Sequence, residues 1–549
     1  MLIRITSARC IGIDACPVTV EVNISNGIGI HLVGLADVAV KESLLRTVTA
    51  LQSLEFRVPG KKIVINLAPA DIHKKGSGYD VPIALGIIAA SGQREMPGLG
   101  KYLILGELGL DGTVRDVPGA LPISEAAPQW GFEGCILPLN SAMETVEFKT
   151  CKVFGVRDLN DVLRIVCEED GYEELLVERQ IPAHSACDST AGDNGCTMDF
   201  GDIVGQDAAK RGLEIAAAGS HNVILIGSPG SGKSSLAKAM CGILPPLTKE
   251  EALQTCKIYS VAGRGDLRRD IWARPFRAPH NTASTTALVG GGSSSILPGE
   301  ISLAHNGVLF IDEFCEIPRS SVEALRGPME DRTIVVSRLR SRVEFPADFT
   351  LIAATNPCPC GYYGDGDRCT CSVGRREAYI ARLSGPLSDR IDIQVWCRSV
   401  SPKLLIDKPL QESSKDVARR VAIARRIQME RFRDERIFCN GQMDNRMLDK
   451  YCPLDRECRD FLEKAMERMG MSARACKRII RLSRTIADLE MAAEAVKSAD
   501  AVQKSGKKGS NEGTETMTQC LGDLHPKDTG IKVSHLAEAI SYRFLDKKG

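Results

Sequence analysis

Val223-Ile-Leu-Ile-Gly-Ser-Pro-Gly-Ser-Gly-Lys-Ser-Ser235 decides how this chain is to be read. Val223 through Ile226 are apolar and read as a buried strand. Gly227-x-x-x-x-Gly232-Lys233-Ser234 then completes the P-loop pattern, and a helical run follows from Ser235 through Met240. The residue types fit the chemistry. A loop of Gly227, Ser228, Pro229, Gly230, Ser231 and Gly232 curls its backbone around phosphates. Lys233 reaches the β- and γ-phosphates, Ser234 offers a hydroxyl to Mg²⁺, and Ser235 opens the helix. Strand, loop and helix come in the order that nucleoside triphosphate binding requires, so ATP and Mg²⁺ are the expected ligands.

Farther along, Val308-Leu-Phe-Ile-Asp312-Glu313 describes a second buried strand ending in two carboxylates. Such a strand delivers its acids to the carboxyl edge of an open sheet, where ligands bind. Asp312 is expected to hold Mg²⁺ through water, and Glu313 to act as general base on the attacking water. A third strand, Phe349-Thr-Leu-Ile-Ala-Ala-Thr355-Asn356, ends in an amide that fits a sensor of the γ-phosphate. An Asn at that place also serves as a simple turn former. Arg390, in Leu383-Ser-Gly-Pro-Leu-Ser-Asp-Arg-Ile-Asp392, is the candidate arginine finger for a neighbouring subunit. The alternative is an ion pair with Asp389 or Asp392. On the helix expected from Ser472 to Met491, Ile479, Leu482, Ile486 and Leu489 form the apolar face. Arg474, Arg478 and Arg481 fall on another face, open to nucleotide or solvent, and Arg474 is the candidate second sensor.

The 549 residues are long enough for several domains. Hydrophobic residues at 43% and charged residues at 26% are ordinary for a globular protein. Formal net charge is zero, so any nucleic-acid surface must be local. No apolar run has the length of a membrane span, and Met1-Leu-Ile-Arg lacks the apolar core of a secretory signal, so the expected location is the cytoplasm. In that setting the 20 cysteines are expected to be reduced thiols or metal ligands rather than disulfides. Four of them, Cys358-x-Cys360 and Cys369-x-Cys371, have the paired spacing of a structural Zn²⁺ site, although C-x-C is tighter than the usual knuckle. Free thiols in a glycine-rich loop are the alternative.

Residues 1–167 alternate short strands and helices. Val18, Val20, Val22 and Ile24 alternate with polar residues, and Ser25-Asn26-Gly27 is expected to turn that strand into a hairpin. Asp37 is the expected cap of a helix to about Leu51; Ile63–Leu67 reads as a strand and 80–90 as a helix. Residues 168–199 lose periodicity and read as a flexible linker. The ATPase core is expected over 200–399 and a helical lid over 400–549, interrupted by a polar insertion at 497–530. Arg332 through Phe345 reads as a hairpin carrying Arg338, Arg340 and Arg342 on one strand face, a candidate DNA contact or a charged edge strand. Arg277 and His280 are assigned no chemistry.

The chain resembles the magnesium-chelatase-like AAA+ family of ComM/YifB type. In the first 167 residues the resemblance rests on Gly34-Leu-Ala-Asp37, Asn66-Leu-Ala-Pro-Ala-Asp71 and Asp80-Val-Pro-Ile-Ala-Leu85. Farther on it rests on the P-loop, Gly290-Gly-Gly-Ser, Pro298-Gly-Glu-Ile-Ser-Leu-Ala-His-Asn-Gly307, Asn356-Pro-Cys-Pro-Cys-Gly361 and the Ser384–Asp392 stretch. The resemblance implies an α/β fold: an N-terminal Lon-protease-like (S5-like) α+β domain, an AAA+ core with a parallel sheet, and a helical lid. It implies a hexameric ring with shared sites, and for ComM-like members a DNA helicase promoting branch migration. A motor of magnesium-chelatase type acting on a protein partner is the alternative, and a Lon-like protease a more distant one. The Lon Ser–Lys dyad is missing, since Gly78 and Leu121 stand at its two positions. Ser77 with Lys75 is the only nearby substitute. A nucleophilic serine without a base is unreactive, so the N-terminal domain reads as a scaffold or partner-binding module.

Overall fold

The computed structural model describes residues 2–34, 38–69, 78–180, 198–265, 270–292, 296–338, 341–383, 387–400, 402–407, 409–504 and 530–543. Asp37, Lys75, Ser77, Arg340 and Ser384 to Pro386 therefore lie outside the described residues.

Apolar alternation builds the first sheet. Strand β1 (Leu2–Ile11) pairs antiparallel with β2 (Asp14–Ser25), placing Ile5 opposite Val20. Val18, Val20 and Val22 are fully buried while Thr19, Glu21 and Asn23 keep some exposure. The turn after β2 does not make a hairpin. Strand β3 (Gly29–Val33) instead runs parallel to β4 (Lys62–Ala68), and β4 inserts antiparallel beside β2, giving the order β1-β2-β4-β3. The pairing that wins is between β1 and β2, around Gly12 at φ +65°. The helix Asp80–Ala90 covers this sheet at close range, because any side chain at Gly86 would collide with Val22. Beyond β5 (Tyr102–Ile104), a short ladder of β6 (Glu107–Leu108) and β7 (Val114–Arg115) precedes β8 (Gly134–Pro138) and β9 (Lys152–Val156). Strands β5, β8 and β9 form a parallel sheet.

The stretch expected as a linker from residue 168 is folded through Gln180. Tyr172–Leu175 and Val177–Gln180 are helical turns, and Leu175 and Val177 are buried on this unit. The remainder, 181–197, lies outside the described residues.

The central unit holds a five-stranded parallel sheet. Its strands are β10 (Val223–Gly227), β11 (Phe276–Arg277), β14 (Val308–Ile311), β17 (Thr350–Thr355) and β18 (Ile393–Cys397), after two-stranded pairs β12 (Gly290–Gly291) with β13 (Leu297–Pro298), and β15 (Thr333–Arg338) with β16 (Ser341–Pro346). The order is β11-β14-β17-β10-β18. Strands β10, β14 and β17 are buried along their whole length, which is why they read as continuous apolar runs. Parallel pairing brings the carboxyl ends of β10, β14 and β17 to one edge, and that edge carries the three sequence signals.

Helices follow the sheet: Ser414–Arg431, Asn445–Tyr451, Arg456–Met469, Ala473–Lys504 and Val533–Ser541. Ile479, Leu482, Ile486 and Leu489 bury as expected. Two expectations need correction. The long helix runs on to Lys504, so the polar insertion does not begin at 497; residues 505–529 lie outside the described residues. Arg478 and Arg481 do not face nucleotide or solvent. Arg478 donates to Asp392 at 2.8 Å and Arg481 to the Met443 carbonyl at 2.6 Å, because the helix is enclosed on more than its apolar stripe.

The N-terminal unit packs on the core through its helix Ala120–Ala126 against Lys249–Val261. Ser260 accepts from the Gly119 N–H at 2.9 Å on its carbonyl and from the Leu121 N–H at 3.2 Å on its hydroxyl. Glu125 pairs with Lys257, and Leu121 buries among Leu247, Ala252 and Cys256.

Candidate nucleotide site and cysteine cluster

The loop leaving β10 is shaped by glycine where glycine is required. A side chain at Gly227 would collide with the Cys397 carbonyl, and Gly230 and Gly232 take left-handed φ of +78° and +85°. Lys233 turns back over this loop. Its ammonium donates to the Gly227 carbonyl at 2.7 Å, the Ser228 carbonyl at 2.9 Å and the Asn356 side-chain oxygen at 3.3 Å. Burial lowers the Lys233 pKa, with Cys397, Asp312 and Glu313 opposing the shift. The Ser231 hydroxyl is buried in the cradle with no hydrogen-bond partner among the described residues.

Ser234 Oγ donates to Asp312 Oδ2 at 2.7 Å, so the hydroxyl and carboxylate expected to share Mg²⁺ are already adjacent. Asp312 Oδ1 accepts from the Glu313 N–H at 2.9 Å. Glu313 has φ +49°, a left-handed conformation uncommon for a side-chain-bearing residue and one that collects at functional sites. Lys233, Ser234, Asp312, Glu313 and Asn356 thus meet at one edge of the sheet, although up to 123 positions separate them in sequence.

Sequence reasoning missed two residues here. Asn281 Nδ2 donates to Glu313 Oε2 at 2.5 Å, so the general-base candidate is held by an amide four residues beyond β11. Gln206, at φ +61°, donates to the Ser231 carbonyl at 3.0 Å and the Arg398 carbonyl at 2.6 Å, bracing the P-loop against the end of β18. Only the Asn281 contact had a signal: it lies in Pro-His-Asn-Thr, a polar turn next to a strand end.

Arg390 and Arg474 do not join this cluster. Arg390 is buried and its guanidinium meets Glu330 at 2.6 Å, a partner other than the expected Asp389 or Asp392. Arg474 is exposed at the start of its helix. Arg390, then burial opposing it, then the charges of Arg474 and Arg478 set the Glu330 carboxyl below its usual value. Asp392 instead accepts from Arg478 and from the Asn222 N–H at 3.1 Å. Burial raises its pKa, but Arg478 and His221 outweigh this and leave it well below the carboxylate range.

The hairpin expectation holds for the strands and fails for the arginines. Ile334, Val336, Val343 and Phe345 bury one face of the β15–β16 pair, while Val335, Ser337, Arg342 and Glu344 are exposed. Register pairs Ser337 with Arg342 and Arg338 with Ser341, so Arg338 and Arg342 project from opposite faces. The register across the pair, rather than spacing along the sequence, sets which face each arginine takes.

Cys358, Cys360, Cys369 and Cys371 converge, their sulfurs all within 4.8 Å of one another. Sγ separations are 3.3 Å for Cys358–Cys360, 3.8 Å for Cys358–Cys369 and 3.7 Å for Cys360–Cys369. A tetrahedron with Zn–S bonds of about 2.3 Å has edges of about 3.8 Å, so the described thiols fit that ion. The Tyr362 backbone N–H, then the Cys358 thiol, pull the Cys360 pKa down to about 6.

Family models for the magnesium chelatase subunit ChlI match residues 199–405 and 20–141, and one for its C-terminal part matches 411–503. The YifB protein of Salmonella typhimurium is 39% identical over 98% of this chain and 96% of its own length. The chain belongs to the magnesium-chelatase ChlI-like family. The competence protein ComM of Haemophilus influenzae is 41% identical over 88% of the chain and 93% of its own length. A magnesium-chelatase 67 kDa subunit of Chlorobaculum parvum is 29% identical over 29% of the chain and 23% of its own length. Members of this family are AAA+ ATPases that use ATP and Mg²⁺, and the P-loop edge carries the groups for that chemistry. No helix among the described residues is long and apolar enough to cross a membrane.

Proposed function

We propose that this chain is an ATP-hydrolysing ring motor acting on DNA, a branch-migration helicase of the ComM type. The observation that carries the ATPase part is the meeting of Lys233, Ser234, Asp312, Glu313 and Asn356 at one sheet edge. The orphaned Ser231 hydroxyl and the Ser234–Asp312 oxygen pair fit a phosphate chain and a hard divalent cation. Ser234 and, through water, Asp312 would hold Mg²⁺, which would supply charge neutralisation for the β- and γ-phosphates.

The protein's own groups do the rest. Lys233 exchanges its loop carbonyls for phosphate oxygens, Asn356 orients the attacking water or reads the γ-phosphate, and Glu313 takes the water's proton. Arg390 stabilises the transition-state charge of a neighbouring subunit's site in a hexameric ring, and Arg474 reads the nucleotide as second sensor. Arg338 and Arg342 supply phosphate contacts for DNA. Cys358, Cys360, Cys369 and Cys371 hold a structural Zn²⁺. The C-terminal helices serve as the lid, and the protein works in the cytoplasm.

The test is ATPase rate with and without forked or single-stranded DNA, beside a Glu313→Gln control. Stimulation by DNA that vanishes in the control supports the motor; intact basal turnover that DNA leaves unchanged overturns the DNA reading. The family match to a chelatase subunit favours one other reading, a remodeller of a protein partner bound by the N-terminal unit. That reading gains if DNA has no effect. A Lon-like protease is disfavoured by the core: Leu121, at the dyad's lysine position, is sealed under Ser260 and Ala252. Absence of casein degradation is the expected result.

A further inference from the structure

The cysteine loop begins on the nucleotide site. Asn356, whose side chain meets Lys233, closes β17, and Cys358 follows two residues later, fully buried. At Gly361, with φ +86°, a side chain would stand 2.9 Å from Cγ and Cδ of Pro229 in the P-loop and 3.9 Å from Cγ of Asn356. The loop backbone therefore lies directly against both. Its other flank rests on β18. Gly364, with φ +84°, approaches the Trp396 indole, and the Tyr363 ring meets that indole edge-on at 6.4 Å between centroids. Trp396 is the register partner of Ile226, the last apolar residue before the P-loop. Asp365 accepts from Ser399 at 2.5 Å, and Arg376 lies 4.3 Å over Tyr363.

A segment with glycine at 361, 364 and 366 has little order of its own. The ring contact that ties it to β18, Tyr363 on Trp396, joins two partly exposed side chains. Yet it forms the wall beside Pro229 and Asn356, where small displacements disturb phosphate binding and water placement. Four thiolates closed by one ion are the constraint the sequence provides, and such closed sites contribute folding energy outright.

We propose that Zn²⁺ bound by Cys358, Cys360, Cys369 and Cys371 fixes one wall of the nucleotide site, so that zinc occupancy sets ATP affinity and turnover through Pro229 and Asn356. The proposal rests on the reading of the four thiols as a zinc site, and the test separates the two. Zinc per chain is measured on protein purified without chelator. ATP KM and kcat are then followed in the parent, in parent stripped by a zinc-selective chelator and reloaded with zinc, and in Cys371→Ser and Gly361→Ala. The expected result is one zinc per chain in the parent. Stripping should raise the ATP KM about tenfold and lower kcat, with recovery on reloading. Cys371→Ser should reproduce the stripped state. Gly361→Ala should keep its zinc and show the same nucleotide defect, since the added methyl meets Pro229 and the left-handed φ strains the wall at that point. Zinc present, removable and without effect on KM or kcat overturns the wall while leaving the metal site standing. Less than half a zinc per chain in the parent overturns both. The stripped parent supplies the answer if Cys371→Ser does not fold.

Discussion

At the scale of single residues, two side chains that the sequence did not advertise control the chemistry around them. The Asn281 amide occupies a lone pair of the Glu313 carboxylate, which the proposed general base would need free to accept a proton from water. Removing that hold by Asn281→Ala should raise basal ATP turnover severalfold without changing ATP affinity; an unchanged or lower rate would show that the contact orients Glu313 rather than restraining it. His305 is the second. Its Nδ1 accepts from the Asp348 N–H at 3.0 Å and its Nε2 faces Gln254 at 3.3 Å, and burial lowers its pKa to about 4. The unfolded chain, with histidine near its ordinary value of 6.5, binds a proton across the interval that the folded chain refuses. Stability is thus fully present above about pH 6.5 and falls as pH drops towards about 4, by roughly 3 kcal/mol at ~1.4 kcal/mol per unit. Asp80 acts with the opposite sign, its buried carboxyl raised to about 6 despite Arg46, so the informative quantity is a difference. In His305→Asn, whose amide oxygen replaces Nδ1 as acceptor, the melting temperature should lose part of its slope between pH 4.5 and 6.5 relative to the parent.

At the scale of elements, what was legible is what local rules enforce. The P-loop, with its positive-φ glycines at 230 and 232, and the buried strands β10, β14 and β17 follow from spacing alone. The helix over 80–90 was equally plain, its apolar residues buried nearly all round. What failed depended on which strands pair. The turn at Ser25-Asn26-Gly27 is a sound hairpin signal, but β4 competes for the edge of β2 and wins with a seven-residue register. The polar turn at Asn281 was visible, but its partner was not, since the contact with Glu313 joins the ends of two neighbouring parallel strands 32 positions apart. The β15–β16 pair teaches the same lesson in small. Its existence follows from β-favouring residues, but the faces of Arg338 and Arg342 follow from a strand register that the sequence leaves open. Arg338 lies against Gly291 of β12, whereas Arg342 stands free on the outer face. Each arginine that touches a phosphate contributes about 0.7 to 0.9 to the slope of log affinity against log salt. If both touch DNA, Arg338→Ala and Arg342→Ala should each flatten that slope by one such step and spare ATP binding. If only one face meets DNA, one variant should be silent, and equilibrium titrations at three salt concentrations separate these outcomes.

At the scale of the whole molecule, the described contacts make the N-terminal unit a fixed partner of the ATPase core. Its helix Ala120–Ala126 is hydrogen-bonded to Ser260, and its Ile11-Gly12-Ile13 turn packs on Val343 of β16. The β1–β2 turn thus bears on the same hairpin that carries Arg338 and Arg342. The catalytic edge, by contrast, is the part that the proposed ring would complete from a second chain. Among the described residues Lys233, Ser234, Asp312 and Glu313 converge without an arginine, and Arg390 is engaged with Glu330 in a buried position. Glu330 keeps about half its exposure, so if Arg390 is the finger, a neighbouring subunit's phosphate charge would compete with this carboxylate for the guanidinium. Shared sites make a strict demand on mixtures. Arg390→Ala chains keep an intact P-loop but offer no finger, and Lys233→Ala chains offer a finger but hydrolyse nothing. Each alone should turn over ATP at least a hundredfold more slowly than the parent. Mixed at equal amounts and allowed to exchange subunits, one interface in four joins a sound P-loop to a sound finger, so activity should return to about a quarter of the parent's. Activity that stays at the level of the separate variants would place Arg390 inside its own chain's machinery, as a partner of Glu330 alone.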